Sequence, residues 1–333
     1  MKRPLVFLFP NNRMDIGGNS AQMRFMEACG HSRAVTAVQY SVDRRGKINS
    51  QDFVRSNGSE PIYVIHWGPD VPQLLAALNG KDVIYFAHST GWRMRLPSYV
   101  PILCVSRHTM AYWGRYAPNS YIAHVPNIVE VKKVSTASAR DIDVLVQVRK
   151  SSRYLLEQLV PALQDRCRVT VIDGWVDDLT AWFQRSKVYL YDSLEHWIDV
   201  GATEGFGLPP LEALANGCMV FSGVNDALAD YLDPGFNCRK LRVHSLQWDV
   251  AAILDAIRNG GPCSPDSLFH PYTTQQVTGR LSILLSEIQR FFEVAGPAER
   301  DIEDLWEGRR PSALQRLKGA AKVLCGASHP VPR

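Results

Sequence analysis

Short apolar runs rich in Val, Ile and Tyr punctuate the sequence: "LVFLF", "AVTAVQY", "YVIHW", "DVIYFA", "ILCVS" and "SYIAHV", then "VLVQV", "RVTVI", "KVYLY" and "CMVFSG". Between many of them lie segments with helical spacing, among them "DVPQLLAAL", "RHTMAYWGRY", "YLLEQLVPALQ", "VDDLTAWFQ" and "PPLEALAN". Runs this short and this continuously apolar read as strands buried on both faces, and their alternation with helices builds parallel sheets covered on each side. The series occurs twice. The polar stretch "KKVSTASARD" separates the two, which places a boundary at 134–141, a first domain over residues 1–136 and a second over 137–295. A helical tail follows over 296–333. The predicted class is α/β, two doubly wound Rossmann-like domains facing a central cleft, with loops from both halves at the carboxyl ends of the strands forming the site.

A chain of 333 residues, 46% hydrophobic and 21% charged, is a folded globular protein with room for two cores. Its net charge of +4 favours an anionic small ligand over nucleic acid. Seven cysteines are scattered without a C-x-x-C pair, several inside apolar runs, and read as buried thiols of a reducing compartment. Lys2 and Arg3 precede an apolar stretch in the manner of a leader, but that stretch covers only Leu5 to Phe9 and no small-residue cleavage site follows, so it reads as a buried first strand. No apolar run approaches the roughly 18 residues a bilayer span needs.

The stretch "EGFGLPPLEALANG", residues 204 to 217, concentrates the chemistry. Pro209 and Pro210 suit the first turn of a helix, so a helix starts near Leu208. Its unpaired amides and positive dipole end face the loop of Gly205, Phe206 and Gly207, where the glycines admit a ligand close to the backbone, which makes a phosphate site. Glu212, in the helix's first turn, is suited to the vicinal diol of a ribose, and Glu204 to hydroxyls on the other side of the phosphate. Two carboxylates beside an anion require cations. Arg149, Lys150 and Arg153 supply them, following the first strand of the second domain.

These residues resemble the E-x7-E element of retaining glycosyltransferases of the GT-B fold, family 4. "GWVDDLTAWFQRSKVYLYDS" is similar to the segment that precedes that element, "ILCVSRHTM" to the family's first-domain strand and helix, and "HVPNIVEV" to its "PN" strand end, so the likeness covers residues 80 to 240 best. The resemblance implies that Glu212 holds the nucleotide ribose and Glu204 the donor sugar near its anomeric carbon, with Arg149 on the diphosphate. The family's further lysine has no counterpart at the usual spacing, and Lys150 or Arg153 stands in. Gly17 and Gly18 of "DIGGNS" match the glycine-rich turn of the acceptor-side domain, and His88 of "YFAHSTGW" the first-domain histidine that contacts the donor sugar. "PNIVE" in place of "PNGVD" weakens a role for Asn127.

The expected activity is therefore retaining transfer of a sugar from a nucleotide diphosphate sugar to a glycan or lipid-linked acceptor in bacterial surface polysaccharide assembly. No cofactor, metal or nucleic acid is expected, and "DID" at 141 to 143 reads as surface because it precedes its strand. His66 reads as structural. "EHWIDVGAT" is an insertion relative to the family pattern, in which Glu195, His196 and Asp199 fit a sugar contact and a solvated loop equally. In the tail, Leu314, Leu317, Ala321 and Leu324 form one stripe flanked by Arg316, Lys318 and Lys322, which fits packing on the first domain and also an anionic membrane surface. The expected location is cytoplasmic, with a peripheral seat on the inner membrane face left open. The rival readings are a sugar-nucleotide epimerase of the same fold, a non-catalytic nucleotide-sugar or glycan-binding protein, and a dinucleotide oxidoreductase; "PNNRMDIGGNS" lacks the glycine spacing the last requires.

Overall fold

A computed structural model describes residues 2–11, 17–43, 48, 60–92, 94–129, 140–176, 178–261, 264–295 and 300–305. The chain forms two compact units, residues 1–297 and 298–333. In the smaller unit, Arg300 Nη1 lies 3.7 Å from Asp304 Oδ2, four residues along the chain. The expected stripe from Leu314 to Leu324 and most of the 134–141 boundary lie outside the described residues.

The larger unit contains two parallel sheets. In the first, β1 (Leu5–Phe9), β2 (Val35–Gln39), β3 (Ile62–Ile65), β4 (Val83–Ala87), β5 (Ile102–Cys104) and β6 (Ile122–His124) take the order β2-β1-β3-β4-β5-β6. Helices α1 (Gly17–Gly30), α2 (Val71–Ala77) and α3 (Arg107–Tyr116) connect them. The second sheet has the order β11-β10-β9-β7-β8, from β7 (Ile142–Gln147), β8 (Val169–Ile172), β9 (Ser186–Tyr191), β10 (Met219–Ser222) and β11 (Cys238–Lys240). Its helices are α4 (Val160–Gln164), α5 (Leu179–Arg185), α6 (Leu194–Val200), α7 (Leu208–Ala215) and α8 (Leu246–Asn259). A π-helical stretch, Tyr154–Leu159, leads into α4. Pro161 lies just beyond it and has no N–H to continue an α-helical ladder, which accounts for the wider turn.

Alternation along each strand divides its side chains between two cores. Leu5, Phe7 and Phe9 of β1 join one apolar cluster, and Val6 and Leu8 join another on the opposite face. Val144 and Val146 of β7 face a third, while Leu145 points into the first cluster. That first cluster runs without a break from one sheet to the other.

The last long helix, α9 (Thr274–Ala295), carries Val277, Leu281, Leu285, Ile288 and Phe292 as one buried stripe. It belongs to the span 137–295, yet it lies against α1 and the first sheet. Arg33 donates to the Leu285 carbonyl at 2.7 Å and to Gln289 Oε1 at 2.9 Å, and Tyr121 OH donates to Glu287 Oε2 at 2.6 Å. Across the seam between the sheets, Thr90 and Thr203 hydroxyls meet at 2.7 Å, and the Arg107 amide at the start of α3 donates to Asp230 Oδ2 at 2.5 Å.

Candidate active site

Strand order reverses direction at β1 and β3 in one sheet and at β7 and β9 in the other, and the loops leaving these strands face each other around a cleft of about 750 Å³. This is the location at which doubly wound sheets bind ligands. Several loops that leave the second sheet have left-handed backbone at non-glycine residues, of which Lys150 lines the cleft. Lys150, Val224, Asp226, Arg242 and His244 have φ between 52° and 64°, and all five follow the carboxyl ends of β7, β10 or β11. Left-handed backbone at a non-glycine residue is uncommon, and at a β-branched residue such as Val224 it is costly.

Residues 204 to 208 all line this cleft. Helix α7 begins at Leu208 behind Gly207, whose φ of 77° favours a residue without a Cβ. A Cβ at Gly207 would also strike Leu228, and one at Gly205 would collide with the His88 carbonyl oxygen of the first domain. Phe206 is buried with its ring centroid 5.8 Å from that of Tyr231 and 5.7 Å from that of Tyr272, and the Tyr231 hydroxyl donates to the Gly207 carbonyl. The loop is thus clamped in one shape. Because Pro209 and Pro210 have no N–H, the amides left at the helix start are those of the glycine loop and Leu208.

Glu204 lies 3% exposed beneath this loop. Its Oε2 accepts from the Tyr191 hydroxyl at 2.5 Å and from Trp197 Nε1 at 2.8 Å, while its Oε1 stands 3.4 Å from Lys150 Nζ. Burial alone would raise its carboxyl, but the Lys150 charge and the two hydrogen bonds outweigh that and hold it below its usual range. Tyr191 is driven up by burial and then by the Glu204 charge, so it remains a phenol and a donor.

Arg149 and Lys150, directly after β7, line the cleft. Arg153 does not. It is exposed and holds Glu195 of α6, its Nε 2.5 Å from Oε1. Glu212 lines the cleft as the fifth residue of α7, one position beyond the first turn, which the sequence assigned to it. Its Oε1 is 3.7 Å from the Arg24 guanidinium of α1, which also donates to the Ile128 carbonyl at 3.3 Å.

On the opposite wall, Gly17 and Gly18 open α1 at the cleft, and Trp67 covers Gly18. His88 lines the cleft with Nε2 3.0 Å from Gln22 Oε1, and His66 places its Nε2 3.1 Å from Asn19 Oδ1. Burial lowers both histidines, His66 to about 3, and the neighbouring His66 lowers His88 further. His88 therefore presents a neutral imidazole and not a cation. Asn127 is buried and reaches the lining as well.

Sequence reasoning missed Arg24, Tyr191 and Trp197. Their roles arise from tertiary neighbours, and only the tryptophan in the insertion "EHWIDVGAT" offered a hint. Of the residues weighed there, His196 lines the cleft, Glu195 is taken by Arg153, and Asp199 is exposed. Among the described residues no helix is long and apolar enough to cross a membrane.

Two parallel Rossmann-like sheets, a cleft at their carboxyl ends and a final helix returning to the first sheet define the GT-B fold. Solved structures with the same architecture include Anabaena HepE in complex with UDP, at a TM-score of 0.65 and 10% identity over 85% of this chain and 100% of that one. Sucrose-phosphate synthase from Thermosynechococcus elongatus aligns with a TM-score of 0.59 and 12% identity over 86% of this chain and 99% of that one. The lipopolysaccharide outer core galactosyltransferase WaaB, in its apo form, aligns with a TM-score of 0.55 and 13% identity over 85% and 99%. Compared with protein-family models and with curated protein sequences, the chain has no match.

Proposed function

We propose that this protein is a retaining glycosyltransferase that moves a sugar from a nucleotide diphosphate sugar to a glycan or lipid-linked acceptor, in bacterial surface polysaccharide assembly. The observation that carries the reading is the convergence, around one cleft, of the clamped glycine loop at the start of α7, the cations Arg149 and Lys150, and the carboxylate of Glu212. An anion fits between the helix end and the cations, and a ribose diol fits Glu212. Solved neighbours of the same fold hold UDP and UDP-glucose, so uridine nucleotides are the first donors to try.

In the reaction, the bond between the anomeric carbon and the diphosphate breaks, leaving negative charge on the phosphate oxygen. The acceptor oxygen bonds to the anomeric carbon on the face the diphosphate leaves, and its proton passes to a phosphate oxygen. Arg149, Lys150 and the amides of the glycine loop stabilise the departing charge, and loss of one such donor commonly costs about 2.7–4 kcal/mol of barrier. His88, neutral and at the first-domain wall, offers a hydrogen bond to the donor sugar.

A thermal-shift screen against nucleoside diphosphates and their sugars, followed by turnover with candidate acceptors, tests the proposal. Binding of a nucleotide sugar, transfer that persists in chelator, and an anomeric coupling in the product equal to the donor's are the expected results. An epimer formed from donor alone, or binding without turnover in every acceptor tried, overturns it.

A further inference from the structure

Glu204 occupies the motif position from which a carboxylate would meet sugar hydroxyls, yet both of its oxygens are already engaged inside the protein. Tyr191 and Trp197 occupy one oxygen and Lys150 the other. What this arrangement orders is the lysine. Lys150 Nζ sits between the Glu204 carboxylate at 3.4 Å and the Trp197 ring, 4.4 Å from its centroid, and its backbone at φ 64° delivers it to the cleft wall.

Helix α6 supports the same conclusion independently. None of its residues is buried, so core packing does not hold it in place. Its attachments are Glu195 to Arg153 and Trp197 to the Glu204 and Lys150 pair. The attachment through Trp197 runs through the groups of the site, while the one through Glu195 lies outside the cleft.

We propose that Glu204 is a positioning residue: together with Trp197 it holds Lys150 preorganised against the donor diphosphate, and it does not itself bind the sugar. This rests on the donor reading above. A cation already fixed by a buried carboxylate and an indole face needs no ordering when the diphosphate arrives, so less of its interaction is spent on ordering. The sugar is then contacted by other groups of the cleft.

Calorimetric titration with UDP, UDP-glucose and uridine separates these roles, after a panel of nucleoside diphosphates has established which one the wild-type protein binds; where it is not UDP, that nucleotide, its glucose ester and its nucleoside replace them. Glu204→Gln is expected to weaken the diphosphate and the sugar nucleotide by the same factor, about tenfold, and to leave the nucleoside unchanged. Lys150→Met is expected to reproduce that pattern, and the double variant to bind no worse than Lys150→Met alone, because a residue acting through another gives non-additive losses. Trp197→Phe keeps an aromatic face and removes the N–H, and is expected to show a smaller loss of the same kind; it serves as the readout should Glu204→Gln fail to fold. A loss confined to the sugar nucleotide, or losses that add in the double variant, overturns the positioning role. A wild-type protein that binds no nucleoside diphosphate at all overturns the donor reading, and is seen before any variant is made.

Discussion

Arg24 of α1 and Glu212 of α7 face each other across the cleft, guanidinium to carboxylate at 3.7 Å, linking the first sheet's helices to the helix that follows the glycine loop. Both side chains are partly solvated, so the pair contributes less than about 1 kcal/mol to stability. Arg24→Met should therefore leave chemical denaturation nearly unchanged. If Glu212 holds a ribose, Glu212→Ala lowers affinity for the free nucleoside about tenfold, as loss of hydrogen bonds to a charged group does. Calorimetry with the nucleoside alone checks this, and an unchanged affinity removes Glu212 from the ribose.

Arg149 lines the cleft beside Lys150 at the end of β7. Arg149→Ala should depress affinity for a nucleoside diphosphate by about tenfold or more while leaving the nucleoside within a factor of two or so. Equal losses for both ligands would remove the diphosphate contact.

Gly205 is a point at which the second domain's loop touches the first domain's backbone, at His88. An added methyl has no flexible side chain to displace there, so Gly205→Ala should cost about 1–3 kcal/mol by the usual scale of overpacking. A denaturant midpoint equal to the wild type's would show that the two loops can part without penalty.

Histidines that the fold holds neutral make stability depend on pH in a defined direction. His66 is lowered by burial from 6.5 to about 3 and His124 to about 4, and His88 is lowered as well. Below pH 6.5 the unfolded chain takes up protons at these sites that the folded chain refuses, so stability falls as pH drops from about 6.5 towards 3, and is flat with respect to these groups above 6.5. His66 alone contributes a slope of up to about 1.4 kcal/mol per pH unit. Urea denaturation at pH 7.5, 6 and 5 measures it, and His66→Gln should flatten the curve. Carboxylates held low, Glu204 among them, add their loss only at more acidic pH.

Most strands were legible in the sequence because a parallel strand buried on both faces must be apolar throughout, and "LVFLF" and "KVYLY" became β1 and β9 with little displacement. β11 was not legible. Its three residues, "CRK", carry no apolar run and are held by backbone pairing to β10 in the register Val220 to Cys238. Helix α6 escaped for a related reason: with no buried face it leaves no periodic signature, and its anchoring through Trp197 and Glu195 exists only in three dimensions.

The glycine loop and the helix start at Leu208 could be read from Gly205, Gly207, Pro209 and Pro210, since each restricts the backbone locally. The partners of the carboxylates could not. Tyr191 reaches Glu204 from the end of β9, and Arg24 reaches Glu212 from the other half of the molecule. For α9, the stripe from Val277 to Phe292 announced a buried face but not which sheet would cover it.

The return of α9 to the first sheet bears on the order of events during translation. The apolar side of α1, with Phe25 and its neighbours, is completed by Leu281, Leu285 and Ile288, which leave the ribosome long after the strands they shield. The amino-terminal half must therefore wait, partly uncovered, while the carboxyl-terminal half is being made, and a fragment released before α9 would carry a sticky apolar surface into the cell.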